Sequence, residues 1–396
     1  MRATVTKMDL LDAMTCVDHG GGTGKRGDAA FLRFDGYSLE ISTSCWRDSY
    51  KTVFSASIKA SFRKSATIAV NLYSLRNAVG KIAKASGPDV SIENDEATLR
   101  LRCGSMCAVV SEDDLYYYDE LPAEHPDGLA AVLSRDDLRP ALDMLAALKP
   151  VEVHGCTYAQ SLAVFSGMAY ATDMMNIYTV GLCSNRNGFI SRAAVERLRA
   201  MKSWQAVKLW MWRDGDALCG SADLDNSGVR AVMSWTTRVT GGTVACDPLE
   251  SVITGGEMKA LLDGLASAPC WRCDGSALRQ ALRECEAFCR RGQAVLFIPC
   301  EEGARLVRYD VPDKTTADVK DAVNSADACA TVCKAVWPFP SRIALPRKSL
   351  AKIVGKSDEV IMRIKDGIAA IGVTGDPVSR VIAEAICPFE DRTDIF

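Results

Sequence analysis

Four cysteines, Cys270, Cys273, Cys285 and Cys289, are separated by two, eleven and three residues. Four thiolates so spaced can close on zinc, and Cys285 and Cys289 stand one helical turn apart, where they could act jointly. Against a metal, the helical segment that carries them is amphipathic without one, and the sixteen cysteines are scattered along the whole chain. No metal and no cofactor are expected. The run Gly20-Gly21-Gly22-Thr23-Gly24-Lys25 has the composition of a phosphate-binding loop. Such a loop needs Gly five residues before its Gly-Lys and Ser or Thr after it, and His19 and Arg26 occupy those places. A flexible hairpin loop is the better reading. His19, His125 and His154 are the only histidines, and none has another at ligand spacing. Metal-assisted phosphate chemistry needs clustered carboxylates. The densest acids, Glu112-Asp113-Asp114 and Asp119-Glu120, stand just before Leu121-Pro122 and read as an exposed interdomain linker. An enzyme is not expected.

The elements that would position a site are those of a soluble globular chain. The 396 residues are 48% apolar and 24% charged, which suits two to four domains and excludes disorder. No apolar run approaches the ~18 residues of a membrane helix. Asp9 and Asp12 fall where a signal peptide has its apolar segment, so export is not expected. The cysteines are then free thiols of a cytoplasmic protein. A net charge of -3 excludes a bulk polycation but leaves room for a local basic face.

One unit recurs. Val70-Asn71-Leu72-Tyr73-Ser74-Leu75, Ile190-Ser191-Arg192-Ala193-Ala194-Val195 and Leu345-Pro346-Arg347-Lys348-Ser349-Leu350 align without a gap. Each puts a strand-type residue before Asn, Ser or Pro, and then a helical pattern. A second set, capped by Thr6, Ser134 and Asp274, interleaves with the first. The spacing predicts helices over 7–17, 72–85, 135–149, 192–203, 275–291 and 347–356. Strands follow, among them 89–93, 98–102, 106–110, 207–212, 229–235, 360–364, 368–373 and 380–386. An extra short helix is expected over 256–265, and Pro140 should bend its helix or shift the helix start. Three domains result, 1–122, 127–245 and 246–396, the last opening with the extra segment 246–269. Each is a doubled helix-plus-strands unit.

Charge is unevenly spread over these elements. The six helices carry +11 together, so everything else carries -14. On helix 72–85, Arg76, Asn77, Gly80, Lys81 and Lys84 share one side, and Leu72, Leu75, Ala78, Val79 and Ile82 the other. Amphipathic helices ordinarily turn charge toward water. That does not explain why cations collect on helices while strands and loops hold the acids. A surface that faces a polyanion would need such segregation.

In this threefold pattern the chain resembles the bacterial sliding clamp family, the beta subunit of DNA polymerase III, in a divergent, phage-like form. The best stretches are 67–110, 168–234 and 343–389. Ala171-Thr172-Asp173 resembles the family's strand-end motif, and Cys387-Pro388-Phe389 its apolar tail. The resemblance implies an α+β fold of three repeated DNA-clamp domains, each with two inner helices and outer antiparallel sheets, forming half of a ring closed by a homodimer. It implies a processivity factor for DNA replication that encircles duplex DNA without reading its sequence and tethers a polymerase, with no bond chemistry and no membrane contact. DNA-binding residues would be Arg76, Lys81, Lys84, Arg192, Arg197, Arg199, Lys202, Arg279, Arg283, Lys348, Lys352 and Lys356. Polymerase and clamp loader would dock short peptides on a pocket of Thr172, Met174, Met175, Ile177, Pro388 and Phe389. The chain departs from the family in Met174-Met175-Asn176-Ile177 after the Ala-Thr-Asp, in a tail that continues through Glu390–Phe396, and in an acidic first helix. A clamp-fold decoy or inhibitor that binds replication proteins without encircling DNA is the alternative.

Overall fold

The computed structural model describes residues 2–18, 29–47, 49–62, 65–95, 98–111, 130–153, 156–173, 176–201, 204–226, 228–237, 239–240, 243–244, 247, 249–250, 257–286, 294–301, 303–309, 329–332, 338–339, 343–346, 350–351, 354–355, 358–365, 368–373 and 378–382. Six helices lie among them: α1 (Lys7–Val17), α2 (Leu72–Ala83), α3 (Arg135–Ala147), α4 (Arg192–Ala200), α5 (Glu257–Ser267) and α6 (Gly275–Glu286).

Each expected cap in the described region is formed. The side chains of Thr6, Asn71, Ser134 and Ser191 accept from the backbone N–H three residues on, at 3.2, 3.1, 3.1 and 3.3 Å. Asp274 accepts from Ala277 N–H at 2.8 Å, and bonds to Ser276 as well as to that amide hold its carboxyl below the usual range. Each such cap stabilises its helix by about 0.5–2 kcal/mol. The helix expected over 347–356 lies mostly outside the described residues, although Leu350 and Val354 are buried in a core.

The repeat is written in the strand pairing. The strand before the first helix of each pair lies antiparallel to a strand after the second. Arg2–Thr6 pairs with Asp89–Asp95, Ala131–Ser134 with Ala206–Asp214, and Cys270–Asp274 with Glu359–Lys365. The strand before the second helix returns the exchange with a strand after the first. Ala66–Asn71 pairs with Ala29–Phe34, Gly188–Ser191 with Ser161–Phe165, and Ile343–Pro346 with Ala294–Cys300. Apolar helix faces then have sheet to cover: on α2, Leu72, Leu75, Ala78, Val79 and Ile82 are all buried. Each large side chain so removed from water contributes roughly 1.5–3 kcal/mol.

Backbone contacts divide the chain into two compact units, Met1–Ala171 with Leu182–Glu250, and Thr172–Gly181 with Ser251–Phe396. In the first, Tyr50–Lys59 pairs with Val229–Thr237 over nine residues, which fuses strands of two repeats into one eight-stranded sheet. The central strand Ala217–Asn226 was not expected from sequence. It is rich in small and acidic residues of low strand propensity, and ladders on both sides hold it. A side chain at Gly220 would stand 2.4 Å from the Trp235 ring, so glycine is required there. Gly215, at φ 58°, makes the turn between Ala206–Asp214 and Ala217–Asn226. The second unit has its own core, in which Trp271 and Phe297 meet edge to face at 5.9 Å.

Several boundaries differ from expectation. Helix α2 ends at Ala83 with Lys84 as its cap, α3 at Ala147, α4 at Ala200 and α6 at Glu286. Pro140 does not shift the start of α3, since Ser134 caps it as drawn. The extra helix forms over Glu257–Ser267.

Candidate nucleic-acid interface

Helix ends decide which cations are available. Helices α1 and α3 carry no basic residue in their last turn, where carbonyls point outward and a positive charge is favoured. Both obtain one from elsewhere. At the end of α1, Asp18 caps the helix and its carboxylate takes the Arg76 guanidinium of α2 at 3.3 Å. Arg76 also lies over the Tyr73 ring at 5.2 Å. Arg197 of α4 donates through Nη1 to the Asp18 carbonyl. At the end of α3, Arg192 donates to the carbonyls of Ala159 and Leu148 at 2.8 Å and of Leu145 at 3.4 Å, while its Nε meets Glu196 at 2.9 Å. Arg192 is 6% exposed. Arg363 does the same for α5, donating to Ala266 and Ala268 carbonyls at 3.0 and 2.8 Å.

The twelve cations expected on a DNA surface therefore separate into groups. Lys81, Lys84 and Arg283 are exposed and make no ion pair among the described residues. Arg199 is exposed and pairs with Asp143 at 2.6 Å. Arg76 and Arg197 are half-buried against the end of α1. Arg279 is half-buried, with Nη1 3.4 Å from the Val354 carbonyl. Arg192 is a correction: its guanidinium is buried and committed to the α3 terminus, so it has no surface from which to meet a phosphate. Lys202, Lys348, Lys352 and Lys356 lie outside the described residues. Sequence reading missed Arg135 and Arg139. They belong to the expected helix 135–149, whose zero net charge concealed them, and they line an open groove of about 700 Å³ with Arg197, Arg199, Asp143 and Glu196 of α3 and α4.

Helix α1 carries two acids, Asp9 and Asp12, against one cation, Lys7. Burial and the neighbouring Asp9 raise the pKa of Asp12. Burial, with Asp12 second, pushes the Cys16 thiol up to about 12. A polyanion gains nothing from this helix.

In the second unit, Thr172 is buried, its Oγ1 donating to the Asn176 carbonyl at 3.0 Å. Asp173 accepts from the Asn176 N–H at 3.0 Å and from the Tyr178 hydroxyl at 2.8 Å. Ile177, half-buried, stands opposite Val381 in the pairing of Asn176–Gly181 with Val378–Ile382. Met174, Met175, Pro388 and Phe389 lie outside the described residues, as do Cys289, the three histidines and the acidic segment 112–120. Cys270 is half-buried and Cys273 buried, and among the described residues no group of His, Cys, Asp or Glu is placed to hold a metal ion. No helix among them is long and apolar enough to cross a membrane.

No protein-family model matches the chain, and no curated protein matches it. Solved structures do. A DNA polymerase sliding clamp from Caulobacter crescentus has a TM-score of 0.63 at 16% identity, over 96% of this chain and 98% of that one. A sliding clamp, DNA polymerase III subunit beta, from Bartonella birtlesii bound to griselimycin gives 0.62 at 17% over the same shares. The DNA polymerase III subunit beta from Pseudomonas aeruginosa gives 0.62 at 13%, over 96% and 99%. The chain thus has an α+β fold, and that fold is the DNA clamp of bacterial polymerase III beta subunits, present across nearly its whole length.

Proposed function

We propose that this chain is a DNA sliding clamp that encircles duplex DNA and tethers a replicative polymerase as its processivity factor, acting in the cytoplasm as a homodimeric ring of two three-domain chains. The observation that carries the reading is the likeness of fold over 96% of the chain to proteins described as sliding clamps. The exposed cations support it. Lys81, Lys84, Arg199 and Arg283 extend from helices, as loose, sequence-blind phosphate contacts require. Sliding favours such contacts, since many weak ones change little as the ring advances. Lys202, Lys348, Lys352 and Lys356, outside the described residues, would add further phosphate contacts of the same kind. Tethering turns polymerase dissociation into a short-range return, so the clamp needs no bond chemistry.

Partner peptides would dock near Ile177. Its strand pairs with Val378–Ile382, and that pairing of sequence-distant segments supports a pocket drawn from both. Methionines at 174 and 175 suit a surface that accepts several ligands.

The test is retention on nicked circular duplex after loading with a cognate clamp loader, together with the solution mass. A working clamp is a two-chain species that stays on the circle through a salt wash and leaves when the circle is cut. A folded monomer that captures polymerase tail peptides yet is never retained on the circle is instead the decoy, which the acidic α1 would suit.

A further inference from the structure

We infer that the groove between α3 and α4 is a phosphate-binding site formed by Arg139 and Arg199, and that Asp143 occupies it as an internal stand-in for the phosphate. The inference rests on the proposed duplex-binding function and adds to it a site on α3, from which no phosphate contact was expected. Asp143 is placed between two guanidiniums. Its Oδ1 is 2.6 Å from Arg199 Nε across the helix pair, and its Oδ2 is 3.6 Å from Arg139 Nε one turn away on α3. One carboxylate divided between two guanidiniums copies the way a phosphate's oxygens bridge them, and the guanidinium fork matches either anion.

The placement is easily undone. The side chains of Arg139, Asp143 and Arg199 are 65%, 45% and 56% exposed, so water and salt screen both pairs and neither is strong. The other acid of the groove, Glu196, meets Arg192 at 2.9 Å. Arg135 lines the same groove and adds positive charge beside the site. The approaching anion displaces Asp143 from Arg199 and Arg139, and when the anion moves on, the carboxylate swings back. Each phosphate contact is thereby weakened by an internal competitor. A protein that must hold a duplex and still move along it is served by that.

Asp143→Asn removes the competitor. In anisotropy titrations of a blunt duplex with the full chain, this variant should bind more tightly, by about eightfold at 0.1 M salt for each additional phosphate neutralised, and its slope of log K against log salt should steepen by about 0.9 per phosphate. Asp136→Asn is the control. It makes the same change of net charge on an exposed α3 residue that belongs to neither ion pair, and should leave the slope near wild type. Asp143→Ser serves if the amide variant misfolds, and adding Arg199→Ala to either should reverse the tightening. Equal shifts in the Asp143 and Asp136 variants would reduce the effect to bulk charge and overturn the inference. So would an unchanged slope in the Asp143 variants. Retention of the wild type on nicked circles is scored separately, so the stand-in can fail while the clamp reading stands.

Discussion

Arg192→Ala should cost the fold, not the DNA contact. The guanidinium makes three bonds of 2.8–2.9 Å, to the Ala159 and Leu148 carbonyls and to Glu196, and a longer one to the Leu145 carbonyl. Bonds with a charged donor contribute about 1.5–3 kcal/mol each. They share one guanidinium and do not add, and Glu196 is 25% exposed, so water recovers part of its loss. Breaking a buried ionic group on one side typically costs about 3–5 kcal/mol, and the lower half of that range is expected here. For a unit of this size that lowers the melting temperature by roughly 6–15 °C. Arg192→Lys should recover little, because an ammonium cannot reach the carbonyls of Ala159 and Leu148 together as the planar fork does. Thermal melts of both variants, with duplex titrations of the folded fraction in varied salt, separate the roles. A melting temperature within 1 °C of wild type, joined to a salt slope smaller by about 0.9, would refute the structural role and return Arg192 to the DNA surface.

Two further outcomes follow from the same geometry. Replacing Lys81 and Lys84 together with Ala should flatten the salt slope of duplex binding by about 1.8 while leaving the melting temperature unchanged, since both are exposed and unpaired among the described residues; an unaltered slope excludes α2 from the DNA surface. Asp247 is buried and accepts from Tyr50, Ser161 and Leu249 N–H, and burial raises its pKa above 3.8 although those bonds oppose the shift. The folded chain keeps this proton where the unfolded chain has lost it, so the group's stabilisation is complete below about pH 3.8 and is lost as pH rises through the folded value. Asp247→Asn should therefore gain stability relative to wild type as pH is raised from 3.8, measured by urea unfolding at stepped pH; parallel curves for the two proteins would show that Asp247 is ionised in the fold.

Local rules carried far in this sequence and non-local ones did not. A cap is legible because donor and acceptor are three residues apart, so Thr6, Asn71, Ser134, Ser191 and Asp274 could each be placed without knowing the fold. Strand Ala217–Asn226 was illegible because what holds it lies in its neighbours. Its own residues argue for a loop, and its ladders to Ala206–Asp214 and Val229–Thr237 overrule them. Arg192 and Arg199 show the same limit at the site. Seven residues apart on α4, they differ by about 20° around the axis, and periodicity assigns them one side. Their environments diverge along the axis. Arg192 meets carbonyls of residues 145 and 148, and Arg199 meets Asp143, so α3 runs antiparallel to α4 and ends over its first turn. The first arginine is sealed beneath a helix terminus that lacks a cation of its own, and the second is left at the groove. Counting charge on helices overstates the surface offered to DNA for this reason. Arginine is both the usual partner of phosphate and the usual closure of a helix C-terminus, and only the packing of one helix against the next says which role a given arginine has.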